Sequence, residues 1–339
     1  MKKKMSKYIE IIFTFTIILL TSCTKEESSE SMDQTPIVTV LFSPNALGDH
    51  SFSDNIYRGV EEAAAQYGIG VLLWEPATIE EGTLYLRYNS IDADSATNKL
   101  CITDATYADS IRSHPELFPN QSNNQILVLD AREIAGYVHT VDLPLYGALY
   151  EAGYLAQSMD DVNNIAIYSA NSTMTSLVDG INGFTDGLHS VGNKNLATFY
   201  LGTGVEGFSM ADSLYKVSYQ VDSVYDMVVP LCGGSEQGLL RYNREHPNSF
   251  YTVGMDADMS NYSKRVPFSC LKRMDKVIMH CIGQWLSDEG IPHQQTLGLE
   301  EGYTEVTISD SYQSKLKAKL ESIHQTAIQK EKEYEAKQK

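Results

Sequence analysis

Positive charge is scarce in this 339-residue chain: 26 Lys and Arg stand against 44 Asp and Glu, a formal net charge of −18. A nucleic-acid binder needs a basic face to release counterions from phosphates. No Lys/Arg cluster is visible in the part of the chain that reads as folded, so nucleic acid is excluded as a partner. The five Cys and eight His lack CxxC or HExxH spacing, which leaves no metal site, and no cofactor is expected. Nucleophile-elbow and triad spacings are missing too, so no catalytic residue is assigned and the chain does not read as an enzyme. No apolar run reaches the roughly 20 residues that a membrane-spanning helix needs. What is present is a normal globular composition, with 42% hydrophobic and 21% charged residues, enough for about two domains. The 21 Tyr and 10 Phe supply aromatic surface.

The N-terminus reads as a targeting segment. Lys2, Lys3, Lys4 and Lys7 precede an apolar stretch over 11–20 that only Thr14 and Thr16 interrupt. Ten residues fit the h-region of a signal peptide. Leu20-Thr21-Ser22-Cys23 follows and resembles the bacterial lipobox. That implies a signal peptide over 1–22, lipidation at Cys23 and an extracytoplasmic protein held to a membrane by its lipid anchor. An ordinary signal peptide with an incidental Cys is the alternative. Residues 23–36 are polar and rich in Ser and Glu, a disordered tether. Lys25-Glu26-Glu27 is also similar to a short surface-export signal of some bacterial lipoproteins, so periplasmic face and cell surface both stay open. Of the remaining Cys101, Cys232, Cys270 and Cys281, three lie in apolar stretches and read as small buried hydrophobes. Whether any two form a disulfide is left open.

Past the tether, strands and helices alternate. Short apolar runs predict strands over 37–42, 71–74, 99–103, 126–130 and 137–141, with helices over 53–67 and from 107. A second series gives helices over 145–159, 175–188, 209–219 and 235–245, and strands over 164–168, 197–201, 227–231 and 249–253. A run over 268–271, a helix over 274–287 and a run over 303–308 close it. Regular alternation of this kind means α/β lobes with doubly wound parallel sheets. Residues 313–339 form a basic, helix-prone tail expected to pack on the domain edge, with a partner-binding helix as the alternative.

Ligands of open α/β sheets bind beyond the carboxyl ends of the strands. Gly48-Asp49-His50-Ser51-Phe52-Ser53 lies between the first strand and first helix. Asp49 could accept from a ligand, the helix start could donate, and Phe52 could stack on a flat ring. Gly233-Gly234-Ser235-Glu236-Gln237-Gly238 permits close backbone approach, and Asp256 in Gly254-Met255-Asp256-Ala257-Asp258 could take two hydroxyls of a sugar. Helix caps and tight turns account for any one of these alone.

Together and in order they resemble the basic membrane protein family, the substrate-binding lipoproteins of purine nucleoside receptor A type served by ABC importers. Gly48-Asp49-His50-Ser51-Phe52-Ser53-Asp54-Asn55-Ile56-Tyr57-Arg58-Gly59 resembles its D-D-K-S-F-N-x-x-x-[WY]-x-G signature. Tyr150-Glu151-Ala152-Gly153-Tyr154-Leu155-Ala156 is similar to Y-L-A-G-x-L-A, and Gly183-Phe184-Thr185-Asp186-Gly187 to G-F-x-x-G. Cys232-Gly233-Gly234-Ser235-Glu236-Gln237-Gly238 resembles A-G-G-T-G-x-G, Val253-Gly254-Met255-Asp256-Ala257-Asp258 resembles I-G-V-D-x-D, and Ser269-Cys270-Leu271-Lys272-Arg273-Met274-Asp275 resembles T-S-x-x-K-x-V-D.

The resemblance implies a type I periplasmic-binding-protein fold, two doubly wound parallel-sheet lobes joined by a three-stranded hinge. Lobe 1 is expected over 37–142 and 257–293, and lobe 2 over 143–256 and 294–312. It further implies a monomer that closes over a small nucleoside-like ligand for an ABC transporter permease. The ligand-binding set is then Asp49, Ser51, Phe52, Ser53, Gly233, Gly234, Asp256 and Lys272, with Phe208 and Trp74 as candidate aromatics. The chain departs from the pattern at Gly48, an acidic residue in the family, and at Ser53, an Asn. Gly204 falls where an aromatic is usual, and Glu236 where the family has Gly. Two other functions fit the same residues: a surface or sensory lipoprotein with a sugar-like ligand, and, more remotely, a glycosidic hydrolase using Asp49, Asp256 and Asp258.

Overall fold

A computed structural model describes residues 35–90, 97–118, 124–134 and 138–338. The signal peptide, Cys23 and nearly all of the tether lie outside them.

The first lobe starts with β1 (Ile37–Leu41), α1 (Phe52–Tyr67), β2 (Gly70–Trp74), α2 (Ile79–Ser90), β3 (Lys99–Asp104), α3 (Ala108–Ser113), β4 (Asn124–Leu129) and β5 (His139–Asp142). Alternation along β1 sends Val38 and Val40 to one face, where they pack with Ile56, Val60 and Ile278. Leu41 and Cys101 point to the other face, toward Leu86, Tyr107 and Ile111. With both faces covered, the strands read as continuous apolar runs. The edge strand β2 differs, since Leu72, Leu73 and Trp74 are exposed.

The second lobe follows with α4 (Tyr146–Gln157), β6 (Asn164–Ser169), α5 (Thr175–His189), β7 (Asn195–Tyr200), α6 (Ala211–Val221), β8 (Met227–Leu231), α7 (Glu236–Glu245), β9 (Tyr251–Thr252) and β10 (Gly254–Asp256). Its parallel sheet has the order β7-β6-β8-β9. α4 and α5 pack backbone to backbone: a Cβ on Gly187 would sit 1.9 Å from the Tyr150 carbonyl oxygen, and one on Gly183 2.2 Å from that of Tyr146. The G-F-x-x-G segment is therefore a packing device.

The chain next runs through β11 (Phe268–Lys272), α8 (Met274–Leu286), β12 (Gln294–Thr296), β13 (Thr304–Ile308) and α9 (Gln313–Gln338). α8 packs beside α1 in the first lobe. β12 adds to the first sheet by pairing with β5, giving the order β12-β5-β4-β3-β1-β2. β11 pairs with β10 and with β13, and Phe268, Cys270 and Ile308 belong to the second lobe's core. Three passages thus join the lobes, after β5, after β11 and after β12.

Two expected boundaries shift. Residues 294–296 belong to the first lobe's sheet and β11 to the second lobe's core. A three-residue polar strand and a run whose neighbours come from distant sequence carry no periodic signal of their own. The sequence pattern predicts no helix over 79–90, where the structure forms α2. The four cysteines after Cys23 are buried and unbridged. No helix among the described residues is long and apolar enough to cross a membrane.

Candidate functional site

The carboxyl ends of both sheets enclose a cavity of about 300 Å³, at the small end of the range for ligand pockets. Asp49, Phe52, Ser53, Asp104 and Asp130 line it from the first lobe, and Met174, Phe208, Gly233 and Gly234 from the second. Asp256 and Lys272, at the ends of β10 and β11, line it as well.

Lys272 is buried, and its Nζ donates to Asp130 Oδ2 at 2.6 Å. The ammonium also stands 5.6 Å from the Phe52 ring centroid, a cation–π distance. Asp130 Oδ1 is buried without a hydrogen-bond partner. Asp130 and Asp256 both hold left-handed backbone, with φ of 55° and 61°, a strained state that concentrates at functional sites. Burial raises the Asp256 carboxyl to about 6, with the Lys272 charge and the Ser51 hydroxyl bond pulling the other way. Ser51 Oγ donates to Asp256 Oδ2 at 3.1 Å, and Asn55 Nδ2 to its carbonyl at 3.3 Å.

Asp49 is engaged otherwise. Its carboxylate accepts from the backbone N–H of Ser51 at 2.8 Å, Ser53 at 2.9 Å and Asp54 at 3.2 Å. It satisfies the free donors at the start of α1, the capping role open to it from sequence. Burial nevertheless raises its proton affinity above the usual carboxylate range. Asp104 is likewise committed, to Ser43 Oγ at 2.8 Å and to Thr106 N at 2.8 Å.

Gly233 turns with φ 49°, and a Cβ there would stand 3.0 Å from Phe208 Cδ1. The glycine is what lets the loop lie against the Phe208 ring. Glu236, fully buried, accepts from Met255 N at 3.2 Å through Oε1, while its Oε2 has no partner. Burial holds its carboxyl well above the ordinary range.

Eight of the ten expected ligand-binding residues line the cavity. Ser51 does not, but orients Asp256. Trp74 is misplaced by the sequence reading: it sits at the exposed edge of the first sheet and stacks on Tyr85 at 4.7 Å. Asp104, Asp130 and Met174 were missed. The two Asp could have been found by the rule that found Asp256, because each ends an apolar strand. Asp258 lies outside this cavity, in a neighbouring pocket that His50, Arg58 and Asp256 also line, and its Oδ1 accepts from Ser260 N at 2.9 Å. Asp49 and Asp258, the two partners of Asp256 in the hydrolase alternative, thus line different pockets.

The model of the Bmp family, PnrA-like ABC transporter substrate-binding proteins, matches residues 37–338. The chain belongs to this family. The fold is shared more widely. A solute-binding protein of an ABC transporter system from Aeropyrum pernix is similar at 16% identity and TM-score 0.68, over 88% of this chain and 86% of the other. A transcriptional activator of the comK gene from Bacillus halodurans is similar at 13% identity and TM-score 0.68, over 86% and 98%. A periplasmic solute-binding protein from Actinobacillus succinogenes with bound D-allose is similar at 13% identity and TM-score 0.62, over 83% and 99%. No protein of curated function matches in sequence. Among the described residues no cluster could hold a metal ion. Lys272 and Asp256, which fall in two of the motif-like segments, both line the cavity.

Proposed function

We propose that this Bmp-family member captures a nucleoside-like solute outside the cytoplasm, without chemistry, and delivers it to the permease of an ABC importer, Cys23 anchoring it to a membrane. The observation that carries the reading is the Lys272 centre. One buried ammonium is flanked by Asp130 and faces the Phe52 ring, with an unpartnered Asp130 oxygen in the same cavity. Carboxylates with open lone pairs receive the hydroxyl protons of a diol. Phe52 and Phe208 offer faces to a flat ring. Asp49, Asp104, Asp130 and Asp256 outnumber Lys272 in the lining, so the site disfavours phosphorylated ligands.

Calorimetric titration with adenosine, inosine, AMP and D-allose tests this. Heat with the nucleosides and none with AMP is the expected result. A plain sugar is the second reading, supported by the similarity to the D-allose complex, and binding of D-allose alone would select it.

A further inference from the structure

We propose that Arg132, Asp179 and Tyr334 form an interlobe clasp through which the C-terminal helix sets the closure of the cleft and positions the Asp130 turn. The inference rests on the reading of a cleft that opens and closes.

Arg132 follows β4 in the first lobe. Its Nε donates to Asp142 Oδ2 at 3.3 Å and its Nη2 to Asp179 Oδ2 at 2.6 Å. Asp179 lies on α5 of the second lobe with its side chain 6% exposed, against 33% for Arg132, so this half-buried ion pair crosses between the lobes and is screened less than a surface pair. The second Asp179 oxygen accepts from Tyr334 Oη at 2.8 Å, and Tyr334 Oη accepts in turn from Asn182 Nδ2 at 2.9 Å. The Tyr334 ring stacks on Tyr146 at 4.3 Å. Asp179 is thus held from both sides, by the first lobe's arginine and by the C-terminal helix.

The same helix grips the passages between the lobes. Glu331 accepts from Gly147 N at 2.7 Å and from Leu299 N at 3.0 Å. One carboxyl thereby ties the first turn of α4 to the passage after β12. Farther back, Leu316 and Leu320 of α9 pack into the second lobe's core, so the helix moves with that lobe while its last turns reach the hinge.

Arg132 is two residues from Asp130, whose Oδ2 holds Lys272. Ala131 N bonds to Val141 O at 3.1 Å, fixing the turn between them. Pulling Arg132 away from Asp179 would move the turn that presents Asp130 to the cavity. On the cleft rim the lobes meet again where Gln237 Nε2 donates to Asp49 O at 3.4 Å.

The test uses the full chain with spin labels on Ala77→Cys and Thr203→Cys, exposed positions beyond β2 and β7 at the outer rims of the two lobes. Distances between labels are measured by pulsed electron resonance without ligand, so the outcome does not depend on which solute binds. Tyr334→Phe keeps the ring stack and removes both hydrogen bonds of the hydroxyl, the one given to Asp179 and the one taken from Asn182. It should raise the open-to-closed ratio about two- to tenfold, with helix content unchanged. Asp179→Asn should raise it further, and Arg132→Lys should fall between wild type and Asp179→Asn. A distance distribution unchanged in both Tyr334→Phe and Arg132→Lys would overturn the clasp. So would a shift in Arg132→Lys with none in Tyr334→Phe, because the helix would then be a bystander. Failure of adenosine to bind a chain that still opens on Tyr334→Phe would count against the nucleoside reading and leave the clasp standing.

Discussion

Asp130 and Asp179 carry the same side chain, and each holds a cation at 2.6 Å. They differ in the second oxygen. In Asp179 it receives the Tyr334 hydroxyl, whereas in Asp130 it is buried with no partner. A buried polar atom left without a partner costs free energy that a bound group can recover. The satisfied pair therefore reads as a structural fastening and the unsatisfied one as a place for a ligand. Four kinds of change test these roles.

Removing the cation from the open pair should have the largest effect. Lys272→Met strands Asp130 beside Asp256 in a buried setting, and breaking such a pair costs about 3–5 kcal/mol. A thermal melt should show a large drop in Tm. A melt like that of wild type would mean that the carboxyls at this site are already neutral.

Changing the carboxyls themselves should affect binding more than folding. Asp130→Asn and Asp256→Asn should each weaken adenosine binding by about 1.5–3 kcal/mol, the worth of a hydrogen bond to a charged group. Asp179→Asn should spare direct contacts and act through closure, with a smaller loss. Equal losses from Asp130→Asn and Asp179→Asn would erase the distinction between the two aspartates.

The aromatic contribution comes next. Phe52→Ala should weaken adenosine by about 1–3 kcal/mol, the value of stacking on one base, and D-allose by less. Identical losses for the two ligands would mean that Phe52 serves only to pack against Lys272.

The smallest effect concerns pH. Burial raises Glu151 and Glu331 to about 7 and Asp256 to about 6. Each folded value stands above its unfolded one, so the folded chain holds these protons more tightly. Their stabilisation is complete below the unfolded values and is lost as pH rises through about 6 to 7. Tm should fall between about pH 5 and pH 8, and Glu151→Gln should flatten the slope. A rise of Tm over that interval would contradict the assignment.

Much of this was legible in the sequence. The alternating apolar runs give the two lobes because a strand buried on both faces has no polar interruptions. Asp256 and Lys272 stand at strand ends, and Asp49 and Phe52 lie between β1 and the start of α1, all on the side where ligands bind in such sheets. Asp130 and Asp104 obeyed the same rule but fell in segments that matched no motif. The fate of Trp74 was not legible, because being at a strand end does not tell an edge strand from a central one. Nor was the clasp: Arg132, Asp179 and Tyr334 are scattered along the chain, and only the packing of α9 on α4 joins them.

The most direct test of the central claim, that an unsatisfied carboxyl beside Lys272 awaits a ligand hydroxyl, is a calorimetric comparison of adenosine with 2′,3′-dideoxyadenosine. The dideoxy compound keeps the base and removes the diol. Loss of its affinity in wild type, with adenosine and the dideoxy compound becoming equally weak in Asp256→Asn/Asp130→Asn, is the predicted result. Equal and undiminished binding of both compounds to wild type would contradict it.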